Sequence, residues 1–131
     1  MEVDIPDVVA EVTAAFERYE QALVTNDVDM LNTLFGDDSR TIRYGVTENL
    51  YGHAEIKSFR AARSPVGLAR TRSRTVITTY GRDFAVASTL FERTAMPGKV
   101  GRQMQTWVRS EEGWRVIAAH VSVIDTPGST P

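Results

Sequence analysis

The apolar residues of the first part of the chain recur at helical spacing. Between residues 6 and 25 they form a stripe along one face of a predicted helix. The members of this stripe are Val8, Val9, Val12, Phe16, Tyr19 and Leu23. Asp27 is placed to cap a second, shorter helix, "VDMLNTLF", which ends at Gly36. A third helix is predicted from His53 to Arg63, closed by "SPVG".

The second half of the chain changes to the periodicity of β-strands. Four segments rich in Val, Thr and aromatic residues predict strands: "SRTVITTYG", "FAVASTLFER", "GRQMQTWVR" and "WRVIAAHVSVI". The segments "GRD", "MPGKVG" and "SEEGW" separate them as turns. Two shorter extended segments, "RTIRYGV" and "NLYG", lie between the second and third helices. The tail "DTPGSTP" is predicted to be frayed.

This order of elements predicts an α+β fold. Helices followed by a four-stranded antiparallel meander are not typical of a doubly wound parallel sheet. The N-terminal helices can pack on one face of a strongly curved, mainly antiparallel sheet, which gives a cone with an open mouth. No repeat or linker interrupts the chain, so residues 1–131 are predicted to form a single domain.

Composition excludes several classes of protein. No apolar run approaches the roughly 20 residues that span a bilayer, and "MEVDIPDVVAEV" lacks the basic-then-apolar order of a secretory signal. We therefore expect a cytoplasmic protein. The chain has no cysteine, and His53 and His120 have no metal-ligand spacing, so neither a metal site nor a cofactor is predicted.

Charge is unevenly distributed along the chain, although its net value is only −2. Between residues 40 and 74, Glu48 and Glu55 are the only acidic residues, and they are outnumbered by a group of basic residues. These are Arg40, Arg43, Lys57, Arg60, Arg63, Arg70, Arg72 and Arg74. A pI of about 5.7 argues against nucleic acid as the partner. A local arginine cluster in an acidic protein favours a small anionic ligand, although a solvated surface remains the alternative for each arginine.

Arg43 stands out in the segment "TIRYGVTENLYG". Strand alternation places it on the face opposite to Ile42 and Tyr44. A guanidinium on a half-buried strand needs a carboxylate. Glu48 of the protein is one candidate, a substrate carboxylate held by two parallel hydrogen bonds is another, and solvent is the third.

Other candidate residues follow from the same periodicities. Tyr19 is either a core tyrosine or a phenol directed into the cone. His120 is either a satisfied histidine of the last strand or a proton-transfer group in the same cavity. Gln103 and Gln105 share a strand face with Trp107, which would suit an amide-recognising lining if that face is concave.

The remaining arginines form two predicted groups. Arg60 and Arg63 are neighbours on one helix face. The alternation of Arg70, Arg72 and Arg74 with small polar residues predicts that these three share one strand face. Either group can bind an anion or face solvent.

Four segments together resemble the AtzH-like or HpxZ-like family of the SnoaL-like, nuclear transport factor 2-like superfamily. They are "FERYEQALVTNDVDMLNTLF", "RTIRYGVTENLYGHAEIKSFRAAR", "RTVITTYGRDFA" and "GRQMQTWVRSEEGWRVIAAHVS". The resemblance runs from about residue 5 to about residue 124, and the block RYG-x-x-E-N-x-YG is specific to it. It implies a cone-shaped fold, in agreement with the order of elements.

The resemblance also implies a function in nitrogen catabolism. It implies a cofactor-independent decarboxylating amidohydrolase that acts on 1,3-dicarboxyurea or a related ureido acid such as oxalurate. Tyr19 in "YEQAL" and Arg43 in "RYG" match the family's catalytic tyrosine and important arginine. The resemblance offers further pocket residues: Tyr44, Tyr51, Arg60, Arg63, Arg70 and His120.

Partners are a further expectation from the family. The resemblance implies a homodimer formed through the open sheet face, and the sequence offers Trp107 and Trp114 as interface aromatics. It also implies a possible amidase partner. A non-catalytic dimeric scaffold of an amidase pathway is therefore the alternative to an enzyme.

Overall fold

Three helices cover a six-stranded sheet in residues 1–128, the part of the chain that this computed structural model describes. The helices are α1 (Pro6–Val24), α2 (Val28–Leu34) and α3 (His53–Ala62). The strands are β1 (Ile42–Tyr44), β2 (Asn49–Tyr51), β3 (Thr71–Tyr80), β4 (Phe84–Glu92), β5 (Lys99–Ser110) and β6 (Gly113–Asp125). The end of the predicted frayed tail, residues 129–131, lies outside the described range. Within it, no helix has the length and apolar character needed to cross a membrane.

The first two helices begin where their local sequence directs. Proline occupies the first turn of α1, where its missing N–H costs nothing. The predicted cap of α2 is confirmed, because the Asp27 carboxylate accepts a hydrogen bond from the Met30 backbone N–H at 3.2 Å. This helix ends at Leu34, before the predicted Gly36, because Phe35 turns to extended backbone and pairs with Val116.

The sheet confirms the predicted antiparallel meander and extends it. Its order is β2-β1-β6-β5-β4-β3, in which the four long strands pair antiparallel to their neighbours along the chain. β1 pairs parallel with β6 and antiparallel with β2. The result is the predicted α+β cone, with the helices packed on a curved, mostly antiparallel sheet.

Side-chain alternation divides the sheet into an inner face toward α1 and an outer face. The inner residues of β4 and β5 are Ala85, Ala87, Thr89, Phe91, Gly101, Gln103, Gln105 and Trp107. Trp114 also lies inside, and its indole N–H donates to Glu11 of α1 at 3.1 Å. The proposal that Trp107 and Trp114 are interface aromatics is therefore wrong, because both are buried in the core.

Candidate functional site

Arg43 lies on the inner face of the sheet, at the centre of β1. It is opposite Ala119 of β6 and Leu50 of β2, and only 7% of its surface is exposed. Its Nη1 donates to Oε1 of Glu48 at 2.7 Å. The protein carboxylate that the sequence offered as one candidate partner therefore does pair with this buried guanidinium.

Gly45, the glycine of the "RYG" block, occupies a position that has no room for a side chain. A Cβ built on it would lie 1.7 Å from Oε1 of Glu48 and 2.9 Å from Nη1 of Arg43. The Glu48 carboxylate therefore occupies the space that a side chain at this position would fill. Burial raises the pKa of Glu48, but hydrogen bonds from Thr47 and Arg43 outweigh it and leave the pKa below its usual value.

Replacing Gly45 by alanine is expected to break this ion pair. The added methyl group displaces the flexible Glu48 carboxylate and leaves the buried Arg43 without its partner. We expect the free energy of unfolding, measured by urea denaturation, to fall by about 1–2 kcal/mol. Most of that cost should vanish in a Glu48→Ala background, and an undiminished cost there would contradict this account.

Five arginines from separate elements meet inside the cone. The members of this arginine cluster are Arg43, Arg60, Arg63, Arg70 and Arg93. They come from β1, from α3 and its C-terminal end, from the residue before β3, and from the residue after β4. Each guanidinium lies against a phenylalanine ring, with its central carbon 4.4–6.0 Å from the ring centroid. The pairs are Arg60 with Phe35, Arg43 and Arg63 with Phe59, and Arg70 and Arg93 with Phe91.

Protein carboxylates compensate only two members of the cluster. Arg43 has Glu48, and Arg70 donates to both carboxylate oxygens of Glu20 and, at 3.0 Å, to Oε1 of Gln103. Within residues 1–128, no carboxylate forms an ion pair with the other three, which are Arg60, Arg63 and Arg93. The cluster therefore holds an excess of positive charge.

Arg60 is the most deeply buried of the uncompensated arginines, with 1% of its surface exposed. Its three guanidinium nitrogens have no hydrogen-bond partner in the described part of the chain. Burial and, to a smaller extent, the charges of Arg43 and Arg63 lower its pKa to about 10, against the opposing effect of the neighbouring Tyr19 phenol. At neutral pH the group is still a cation, and it lacks an anion.

The unpaired buried groups around this cluster are all hydrogen-bond donors. Oε1 of Gln105 accepts from the indole N–H of Trp107 at 3.1 Å, as Oε1 of Gln103 accepts from Arg70, so both amide N–H₂ groups are left free. Eight donor atoms lack partners: Nε, Nη1 and Nη2 of Arg60, Nε and Nη2 of Arg63, Nε of Arg93, and Nε2 of Gln103 and Gln105. The complementary ligand must be small, rich in acceptors and anionic.

Tyr19 lies beside this cluster on the buried face of α1. It is 2% exposed, and its ring centroid is 6.1 Å from that of Phe35, the ring against which Arg60 lies. The next residue of the helix, Glu20, holds Arg70. The structure therefore brings Tyr19 together with four of the predicted arginines, which are Arg43, Arg60, Arg63 and Arg70.

Three predicted pocket residues lie on the opposite, outer face of the sheet. Tyr44 pairs with His120 across β1 and β6, their rings 5.8 Å apart, and its hydroxyl is 2.9 Å from that of Tyr51. The placement of Tyr44, Tyr51 and His120 in the cavity is thus corrected. Strand alternation is the reason. Arg43 points inward, so its neighbours along the strand point outward, and so do the residues that pair with those neighbours.

Arg93 was not predicted, although the sequence contained a signal for it. It continues the alternation of Ala85, Ala87, Thr89 and Phe91, the inward residues of β4. The predicted common face of the β3 arginines holds for Arg70 and Arg72, which both contact Glu20. Arg74 departs from it, because a bulge between Ser73 and Val76 interrupts the register there.

One cavity of the described residues lies away from the arginine cluster. It measures about 780 Å³ and lies between α2, the start of α3 and the β5–β6 hairpin, with no member of the arginine cluster in its lining. The ring of His53 there already bonds the Asn32 carbonyl at 2.8 Å. We take the cluster as the candidate site because it has unpaired buried donors. Within residues 1–128, no three His, Asp or Glu side chains are grouped to hold a metal ion.

The fold is shared with solved proteins described as nuclear transport factor 2-like. A protein of that superfamily from Salmonella enterica serovar Typhimurium shares the fold, with a TM-score of 0.74 and 23% identity over 93% of this chain and 94% of that chain. The family model for AtzH-like proteins matches residues 1–127. The chain belongs to the AtzH-like family.

Two solved structures are much more similar in sequence. A protein of unknown function from Pectobacterium atrosepticum is 59% identical, with a TM-score of 0.92 over 94% of this chain and 95% of that chain. A cystatin-like fold protein from Burkholderia xenovorans is 50% identical, with a TM-score of 0.93 over 97% of this chain and 99% of that chain. No curated protein matches the chain.

Proposed function

We propose that the protein is a cofactor-independent decarboxylating amidohydrolase whose arginine cluster binds a small carboxylated urea. The substrate class, 1,3-dicarboxyurea or a related ureido acid such as oxalurate, is the one that the family resemblance implies. The observation that supports binding of such a ligand is the presence of three uncompensated guanidinium groups beside Tyr19. An apolar ligand would leave these groups buried without partners.

The donors of the site complement a carboxylated urea. Carboxylate and carbonyl oxygens are acceptors, and guanidinium groups bind carboxylates through two parallel hydrogen bonds. Glu48 holds Nη1 of Arg43, and the other N–H groups of Arg43 bind a substrate carboxylate. The two free amide N–H₂ groups, on Gln103 and Gln105, bind the remaining oxygens. Charge neutralisation by the cluster favours entry of the anion.

The chemistry requires a proton at nitrogen and stabilisation of charge at oxygen. When carbon dioxide leaves an N-carboxylate of 1,3-dicarboxyurea, the electron pair of the broken C–N bond remains on nitrogen and takes a proton. Oxalurate has no N-carboxylate, so its turnover requires water to add to a carbonyl carbon and the C–N bond there to break, with the proton again going to nitrogen. Tyr19, directly or through water, supplies that proton, since His120 lies outside the cone. Arg60 stabilises the negative charge that develops on the urea oxygen when carbon dioxide leaves or water adds.

Arg43→Gln and Tyr19→Phe are expected to lower turnover of freshly prepared 1,3-dicarboxyurea or of oxalurate by about 100-fold or more. The first variant loses a carboxylate ligand, and the second loses the proton donor. Release of carbon dioxide measures decarboxylation of 1,3-dicarboxyurea, and disappearance of oxalurate measures its hydrolysis. Arg40→Gln is the matched control, because the Arg40 side chain is 88% exposed and pairs only with Asp38. Full activity of Arg43→Gln would contradict the role of Arg43.

A second candidate is a non-catalytic dimeric scaffold that binds an amidase. One observation favours it: large apolar side chains of the sheet, among them Val76, Phe84 and Met104, are exposed. A second copy of the chain packed on the outer face would cover them. Light scattering measures the oligomeric state. Copurification with an amidase, together with no turnover of either ureido acid by folded protein, would favour the scaffold over the enzyme.

A further inference from the structure

The cluster divides into a deep part and an outer part. Arg60 and Arg43 are buried, whereas Arg63 and Arg93 are half-buried and reach the solvent-exposed edge of the site. The two outer arginines lie against different rings, Phe59 and Phe91. Positive charge without a partner is therefore present at both depths.

Arg93 forms no ion pair with a carboxylate of residues 1–128. Glu20, the carboxylate that pairs with Arg70 of the cluster, also contacts Arg72 at 3.6 Å. Burial lowers the pKa of Arg93, and the charges of Arg70 and Arg63 lower it further. Its Nε has no hydrogen-bond partner in the described residues.

A single carboxylate bound at Arg60 leaves the outer charge uncompensated. We infer that Arg93, together with Arg63, binds a second anionic group of the ligand, and that Arg93 determines the preference of the site for dianions over monoanions. This inference rests on the ligand site of the proposed function, and it adds a specificity-determining residue that the family's tyrosine and arginine do not include.

The position of Arg93 is fixed well enough for such a role. Its guanidinium carbon is 5.0 Å from the centroid of Phe91, and that of Arg70 is 4.4 Å from the same centroid. Arg70 is itself held by Glu20 and Gln103. The anchored Arg70 and the shared ring therefore hold the Arg93 guanidinium beside the cluster.

Malonate and malonamate test this inference, because they share a skeleton and differ by one negative charge. Calorimetric titration at fixed low ionic strength gives both affinities for each variant. We expect the native protein to prefer malonate at least 10-fold, and Arg93→Gln to lose that preference while binding malonamate within about threefold of the native affinity. Arg93→Lys should retain part of the preference, and Arg60→Gln should weaken both ligands.

The outcomes separate this inference from the proposed function. Equal weakening of both ligands by Arg93→Gln, an unchanged preference in that variant, or no binding of either ligand by the native protein would overturn it. Arg82→Gln is the control, because Arg82 is exposed in the turn after β3. Loss of the preference in Arg93→Gln alone supports the inference even when no ureido acid is turned over, a result that would count only against the enzyme.

Discussion

Replacement of Arg60 by methionine is expected to raise the melting temperature of the protein while abolishing anion binding. Burial in the folded protein lowers the pKa of this guanidinium to about 10, so at neutral pH the buried cation costs roughly 3 kcal/mol. Methionine keeps an apolar, unbranched side chain that ends near the position of the arginine Nε and can adapt its rotamer to pack toward Phe35. Allowing about 1 kcal/mol for the lost cation–π contact, we expect a gain of about 2 kcal/mol, or roughly 6 °C.

The same substitution at Arg70 provides the matched comparison, with the opposite sign expected. Arg70 is also buried, but it is paired with Glu20. Its replacement by methionine leaves that carboxylate buried, and we expect a loss of about 3 kcal/mol because Arg72 compensates only in part. Thermal and urea unfolding of both variants measure the difference. A lower melting temperature for Arg60→Met, or an unchanged one for Arg70→Met, would show that the charges are not distributed as described.

This contrast indicates that the cluster lowers the stability of the folded protein and that its uncompensated charges are used for ligand binding. A chain selected only for stability would place an apolar residue at position 60. A ligand that binds only the folded state restores part of the lost stability. The gain in the free energy of unfolding grows with the logarithm of the ligand concentration divided by its dissociation constant. Addition of malonate should therefore raise the melting temperature of the native protein and leave that of Arg60→Met unchanged.

The parts of the structure that follow from local periodicity were predictable. The helical stripe of residues 6–25 placed Tyr19 inside, and strand alternation placed Arg43 on the face opposite to Ile42 and Tyr44. The "RYG" glycine has a cause that only the folded chain shows, since the Glu48 carboxylate returns over Gly45 to reach Arg43. Alternation within one strand is a local property, whereas this contact depends on the course of the loop between two strands.

The parts that were missed depend on pairing between distant segments. The face of His120 is fixed by the parallel pairing of β1 with β6, some 76 residues apart, which no local pattern reports. The burial of Arg60 was not evident because arginines at helical spacing look the same on a solvated face and on an inner one. Arg74 left the common face because a bulge changed the alternation, and bulges have no strong sequence signal.

Replacement of Gly101 by alanine is expected to destabilise the protein by about 2–3 kcal/mol and to abolish the preference for dianions. A Cβ at this position would lie 2.1 Å from Cζ and 2.2 Å from Cε2 of Phe91, a ring that is itself fully buried. The backbone of Gly101 cannot yield, because β5 is paired with β4 and β6 on its two sides. The ring must therefore move, and it is the support of Arg70 and Arg93.

A double-mutant cycle with Phe91→Leu separates this steric cause from a general loss of sheet stability. The smaller leucine vacates the space that the new Cβ needs, so the two substitutions together should cost at least about 1 kcal/mol less than the total of their separate costs. Gly36→Ala is the control, because its nearest contact would be the Thr41 hydroxyl at 3.2 Å and its cost should stay below about 1 kcal/mol. Strictly additive losses of stability at positions 91 and 101 would mean that Gly101 is required by the strand itself and not by the space that the ring occupies. The glycine would then have no part in positioning the arginines.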